Sequence, residues 1–387
     1  RRGGRGDRGV VSGSDGSPAS GPTSKGDRQA PVLEPRASGS PSTAAGVSPP
    51  ETDPKSGGGT GYAALPAERP PLGQSFRPPL GERLAEQLIY VLAMTAVAAI
   101  ALIFVFIGRE ALPLFWEADA RMEAPLGSLF FPKEWRGYDE PVYIWQPIGG
   151  TAKYNFVPLL VGTLKVTVLS MLLSVPIGVG CALFMATYAP RRLREVVKPM
   201  IELLAGVPSV VLGFFALIII ASWAQDTFGF TFRLNASVAA AGLSLAVIPV
   251  IFTISEDALQ AVPRELREAS LALGARQWQT SLRVILPAAL PGIAAAIILG
   301  FGRAIGETMV VLMASGNAAV MEVFDPTTSV RTVTATIAAE LGEVPRGVPH
   351  WRVLFLLGVL LFLVTFVLNV VGSIAVARLQ RKLSAAG

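Results

Sequence analysis

The sequence is short of the residues that most enzymes use for chemistry. One cysteine, Cys181, stands among 387 residues, so no disulfide can close within the chain and the redox compartment is left open. One histidine, His350, leaves no His/Cys cluster to hold zinc and no base for most nucleophilic triads. No G-x-x-x-x-G-K-[ST] loop occurs, which removes nucleotide hydrolysis by that route. The expectation is a chain with no catalytic residue, metal or cofactor of its own. Any energy source must be a partner or an ion gradient. Charge is scarce as well: Asp, Glu, Lys and Arg make up 16%, against about a quarter in a soluble domain.

Apolar residues fill the space, at 51% of the chain, and they come in long runs. "LIYVLAMTAVAAIALIFVFI" covers 88–107, and five more follow at 156–184, 202–223, 236–254, 292–314 and 353–377. At about 1.5 Å per residue each can cross a hydrocarbon core of about 30 Å. The first is too long for a secretion signal and lacks a small-residue cleavage pattern, so it reads as a retained helix. The fold class is an all-α membrane protein with six transmembrane helices.

Basic residues set the expected orientation. "PRRLREVVK" (190–198), Arg264, Arg267, Arg276 and Arg283, and "RLQRK" (378–382) lie in segments that alternate with more acidic connections. The positive-inside rule then places both termini in the cytoplasm and 108–155, 224–235 and 315–352 outside. Residues 1–80 are rich in Gly, Ser, Pro and charge, and read as a disordered cytoplasmic tail. Its Arg/Gly run and "RGD" are too short to argue for nucleic acid or adhesion, and no nucleic-acid partner is expected. Residues 81–155 hold the first helix and an extracytoplasmic loop, and 156–387 hold the core.

The stretch 256–287 and its continuation, "EDALQAVPRELREASLALGARQWQTSLRVILPAALPG", is the most informative soluble segment. Val262, Leu266, Ala269 and Leu273 form one apolar stripe, Pro263 suits the first helical turn, and Gly274 breaks the helix. A helix lying flat on lipid headgroups fits this as well as a docking element does. Glu268-Ala269-Ser270, then Gly274, then Val284-x-Leu286-Pro287, resembles the EAA loop of ATP-binding-cassette (ABC) importer permeases, departing at Ser270 and Val284. The resemblance covers about residues 85–385 and implies the ABC importer permease fold. It makes 256–287 a cytoplasmic coupling loop for an ATPase, with Glu268, Ala269, Gly274, Leu286 and Pro287 as its marked residues.

In the fifth run, Arg303 and Glu307 are four residues apart, where each charge costs about 2.5–3.5 kcal/mol on insertion scales. On a continuous helix they share one face, about 40° apart, beside a Gly302/Gly306 strip that lets another helix approach. The pair reads either as mutually neutralised packing or as a pathway in which the arginine fork meets an oxyanion. "GRAIGETMVVLMASGN" (302–317) is similar to the R-A-x-G-E-T signature of phosphate-specific ABC importer permeases, and its Met-Val-Val continuation looks like the PstC type. That resemblance ties Arg303 and Glu307 to phosphate passage, with Thr308 and Lys165 as weaker candidates. Lys165 reads equally as snorkelling outward or as adding positive potential along the path. Glu202 reads as a charge at the start of the third helix, Asn369 as an interhelical hydrogen bond, and Pro176 and Pro208 as kinks.

The resemblance implies a permease subunit of an ATP-driven inorganic phosphate importer in a bacterial inner membrane. It implies as partners a second permease of PstA type, a PstB-type ATPase dimer that binds ATP-Mg, and a PstS-type extracytoplasmic phosphate-binding protein. The alternatives are a permease for another oxyanion, such as sulfate or molybdate, and a gradient-driven transporter that needs no ATPase.

Overall fold

A computed structural model describes residues 80–135 and 138–384; residues 1–79 of the expected tail lie outside it. The principal helices in chain order are α1 (Leu80–Ala111), α2 (Val157–Thr187), α3 (Arg191–Ala205), α4 (Ser209–Phe228) and α5 (Ala236–Gln260). They are followed by α6 (Arg264–Ala272), α7 (Gln277–Gly306), α8 (Met309–Ala314), α9 (Val333–Glu340) and α10 (Pro349–Ser384). Six of these, α1, α2, α4, α5, α7 and α10, are long and apolar enough to span a bilayer. The all-α membrane reading holds, with boundaries that differ from the sequence expectation in two places.

The third span begins at Ser209, not at 202. Val207-Pro208 leaves helical geometry, as a residue before proline tends to, and Pro208 caps the new helix instead of kinking it. Residues 191–205 form the separate amphipathic α3, so Glu202 sits near its end and is no N-terminal charge of the third span. The fifth span starts at Gln277 and stops at Gly306, where 292–314 was expected as one piece. Residues 256–260 belong to the end of α5, so the connecting loop is shorter than 256–287.

α5 is the most buried span and packs against both α2 and α7. Its start is fixed by Asn235, whose Oδ1 accepts from the Val238 amide at 3.0 Å. Gly300 of α7 lies on Val247 and Ile251 of α5, so close that an added Cβ would come within 2.8 Å of Ile251. Overpacking of that kind costs about 1–3 kcal/mol. α10 packs on α7 and also carries α1, through Phe104–Phe362 and Phe106–Phe355 ring contacts at 4.4 and 5.7 Å.

Connections alternate between two faces. One face holds the large loops, 112–156, 229–235 and 307–348; the other holds the basic segments 188–208 and 261–276. On the large-loop face, Leu114, Leu129, Trp145, Tyr154 and Phe156 form a core with Val333 and Leu354. Burial, helped by the Glu123 carboxylate, pushes the Tyr154 phenol well above its usual range, so it stays protonated and donates to Glu123 at 3.1 Å. Glu340 gathers three segments: Trp145 Nε1 at 3.0 Å, Arg331 Nη2 at 2.5 Å and His350 Nε2 at 2.9 Å. On the basic face, Arg194 donates to the Met185 carbonyl at 2.6 Å and so closes the end of α2. Lys198 of α3 pairs with the buried Glu256 of α5 at 2.9 Å.

Candidate functional site

The fifth span is discontinuous where sequence reasoning placed its charged pair. α7 ends at Gly306, Glu307 is extended (φ −70°, ψ 132°), and α8 starts at Met309. Glycine is a poor helix former, and here it meets a residue that serves the next helix better than its own. The Glu307 carboxylate turns forward and accepts from the amides of Thr308 and Met309 at 3.1 and 3.2 Å. A negative group at a helix start satisfies amides that have no partner within the helix. The one-face arrangement of Arg303 and Glu307 is therefore corrected. The helix ends between them, and no ion pair joins them among the described residues.

Arg303 lies in the last turn of α7, where the carbonyl end of the helix favours a cation. Its side chain is exposed, and no hydrogen bond or ion pair holds it among the described residues. Its depth follows from its neighbours. Gly300 meets α5 at Val247 and Ile251, close to the middle of that span. Arg303 is three residues further on, about 4.5 Å toward the large-loop face. A free guanidinium near mid-depth is out of easy reach of either surface.

The break is held from two sides. α8 lies against α4 and α5: Gly242 brings Ala216 and Val310 together, and Gly213 leaves room for Met309 and Met313. From the other side, the Thr334 hydroxyl of α9 donates to the Glu307 carbonyl at 2.9 Å. Thr308 stays local, its hydroxyl 3.3 Å from the Gly306 carbonyl. The expected glycine strip is half present. Gly302 faces the Asn369 side chain of α10, but Gly306 faces open space. Asn369 bonds the Thr365 carbonyl of its own helix at 2.9 Å, so the interhelical bond expected of it is not formed.

Lys165 is buried on α2, apart from Arg303 in its contacts. Its ammonium donates to the Glu322 carbonyl at 2.8 Å and to Thr328 Oγ1 at 3.0 Å, pinning the 315–332 connection to the helix. It lies at an apolar recess of about 320 Å³ walled by Leu164, Val168 and Phe324.

On the basic face, α6 has no buried residue and presents Leu266, Leu271 and Leu273 to the outside, with Glu268 and Ala269 exposed beside them. Gly274 has φ +82°, a left-handed conformation that suits glycine. Its amide bonds the Leu271 carbonyl and the Ala275 amide bonds the Ser270 carbonyl, which closes the helix as a Schellman turn. Ser270, a departure from the EAA pattern, has a local explanation: its hydroxyl shares a 2.9 Å hydrogen bond with Thr280 across the turn. Leu286 and Pro287 lie inside α7. Just before them, residues 281–285 widen into a π turn, in which the Leu286 amide reaches back to the Ser281 carbonyl. Such a turn accommodates a proline without ending the helix.

Sequence reasoning missed Thr334 and the Glu340 cluster, for which no motif exists. The only available sign was the "RTVTAT" run, unusually rich in hydroxyls for a short helix start.

Residues 174–385, more than half of the chain, match the family described as binding-protein-dependent transport system inner membrane component. The chain is 37% identical over 226 residues to the probable ABC transporter permease protein YqgH of Bacillus subtilis (strain 168), covering 57% of this chain and 72% of that one. It is 31% identical over 314 residues to the phosphate transport system permease protein PstC of Xylella fastidiosa (strain 9a5c), covering 76% and 92%. To the phosphate transport system permease protein PstC 1 of Mycobacterium tuberculosis it is 34% identical over 264 residues, covering 61% and 75%.

Proposed function

The chain belongs to the binding-protein-dependent transport system inner membrane components, and from that premise we propose that it is a PstC-type permease subunit of an ATP-driven phosphate importer. The observation that carries the reading is Arg303. A planar, permanently charged fork stands exposed near mid-depth in the last turn of a membrane helix, beside the break that separates α7 from α8. Discontinuous membrane helices of this kind place polar groups where a solute passes. Phosphate fits the fork, since guanidinium binds its oxygens bidentately.

The exposed side of Arg303 is completed by a second permease of PstA type, so that the path runs between two chains. A PstS-type binding protein delivers phosphate to the large-loop face, which lies outside the cytoplasmic membrane; both termini and the basic face lie in the cytoplasm. A PstB-type ATPase dimer, which binds ATP-Mg, takes up the exposed apolar stripe of α6. α7 links the two ends: one rod starts beside the Ser270–Thr280 bond and ends at Arg303, about 40 Å on. α7 stays helical through the π turn at 281–285 and past Pro287 and Pro291, so a displacement imposed at α6 is passed along one helix to the arginine. The chain itself catalyses no covalent step.

Reconstitution of the complex in vesicles tests this reading. ATP-dependent phosphate uptake should require this chain and the ATPase together. Uptake that follows an ion gradient without the ATPase would end it.

A further inference from the structure

The break in the fifth span is tied to the large-loop face by one connected set of hydrogen bonds. Glu340 takes Arg331 Nη2 at 2.5 Å, Trp145 Nε1 at 3.0 Å and His350 Nε2 at 2.9 Å. Arg331 Nε donates to Thr336 Oγ1 at 3.1 Å, and the Thr336 hydroxyl donates to the Thr332 carbonyl at 2.8 Å. The Thr332 hydroxyl caps α9 and lies 3.4 Å from that of Thr334, which donates to the Glu307 carbonyl at 2.9 Å. α9 itself is anchored, because the Val333 amide donates to Thr163 Oγ1 of α2 at 3.0 Å.

Each part of this set answers a need created by the break. Ending α7 at Gly306 leaves carbonyls without partners within the helix, and a buried one must find a donor elsewhere. The Glu307 carboxylate is acceptor-only, taken up by the α8 amides, and has no hydrogen to give its own carbonyl. Thr334, nearly buried at 9% exposure, supplies the donor. Valine has the same shape and lacks the hydroxyl.

We propose that Thr334 is a positioning residue for transport: its hydroxyl sets the Glu307 backbone and so the angle at which α7 presents Arg303, and it connects that angle to the Glu340 cluster beneath the large loops. The inference rests on the reading of Arg303 and Glu307 as part of the phosphate path. Contact made by a delivering protein on the large loops then has a rigid route to the break, through segments that carry no phosphate themselves.

The test uses the complete importer in vesicles, titrated to saturation with phosphate-loaded binding protein, comparing Thr334→Val, Thr334→Ser and Arg303→Lys. Thr334→Val should lower maximal phosphate uptake per assembled complex by about two- to tenfold, the range for loss of one buried hydrogen bond. The binding-protein concentration for half-maximal uptake should not move. Thr334→Ser keeps the donor and should restore most of the rate. Full uptake by Thr334→Val overturns the proposal. So does an equal loss in Thr334→Ser, or a fall in uptake that only mirrors fewer assembled complexes. Arg303→Lys separates the two levels. If it transports normally, the path reading falls and takes this inference with it; if it is impaired while Thr334→Val is not, only the inference falls.

Discussion

The carboxylate of Glu256 is fully buried at the end of α5, and the ammonium of Lys198 on α3 meets it at 2.9 Å. Gln260 adds a second donor at 2.6 Å. The pair joins the amphipathic α3 to the central span, beside Val197 and Ile201, which pack on the cluster around Phe252 and Leu259. Removing one partner of a buried pair costs about 3–5 kcal/mol, because the other charge is left stranded. Lys198→Met should therefore strip α3 from the bundle, seen as faster amide exchange over 191–205. Adding Glu256→Gln to it should recover part of the protection.

The same pair carries a pH dependence. The hydrogen bond that the Lys198 ammonium donates to Glu256 holds the lysine pKa above its ordinary 10.5. A raised lysine pKa stabilises the fold fully below the unfolded value and loses that contribution as pH climbs through the folded one. Exchange protection over α3 should thus be flat from neutral pH to about 10 and fall above 10.5, provided rates are corrected for intrinsic exchange.

Arg303→Lys keeps the charge and loses the fork. Phosphate uptake should drop by about tenfold or more, with the complex still assembled, since bidentate charge-assisted bonds are replaced by a single point contact. Assembly measured by co-purification and uptake measured in vesicles separate the two effects.

Different substitutions pull apart the capping role of Glu307 and the role on the anion path that we propose for it. Glu307→Ala removes the acceptor for the Thr308 and Met309 amides, and should destabilise α8 by about 1 kcal/mol, as loss of a helix cap does. Glu307→Gln retains an oxygen for those amides and removes only the charge. At neutral pH phosphate carries a proton that a carboxylate can accept in a hydrogen bond, whereas sulfate carries none. Glu307→Gln should then relax discrimination against sulfate in a permease variant freed from its binding protein. Unchanged discrimination would leave Glu307 as a helix cap alone.

Gly274→Val places a β-branched residue at φ +82°, which costs more than about 1 kcal/mol and undoes the Schellman turn. Nothing lies within 4 Å of an added Cβ, so crowding within this chain plays no part. The ATPase should fail to co-purify while the permease still inserts in the membrane. A bound ATPase with normal transport would remove α6 as the coupling element.

How much was legible in the sequence depends on where each element finds its partners. The six spans were readable because a run of about 20 apolar residues needs no tertiary context to declare itself. Gly274 was readable for the same reason, since its conformation is local. The break at 306–308 was not, because its decisive partner, Thr334, is 27 residues further along the chain and belongs to no motif. Periodicity made Arg303 and Glu307 neighbours on a helix that the Glu307 carboxylate helps to end. The third span was misplaced although Pro208 marked its start, because apolar residues run through the Gly206–Pro208 interruption and hide it. Asn369 and Lys165 show the reverse. Asn369 announced a hydrogen bond and Lys165 a charge turned outward or to the path; only the fold says that the first bonds a carbonyl of its own helix and the second a distant loop.

The packing of α1 bears on how the chain is made. α1 rests chiefly on α10, through two phenylalanine contacts and the Trp351–Glu110 hydrogen bond at 2.9 Å. A ribosome moving at about 5–20 residues per second needs roughly ten seconds to a minute to travel from one helix to the other. Throughout that interval the nascent α1 lacks its chief neighbour. Leu88, Ile89, Val97, Ile100, Leu102 and Val105 remain uncovered even in the finished fold. An all-round greasy surface, with its charges kept to the two ends, lets the helix wait in lipid until its companion emerges.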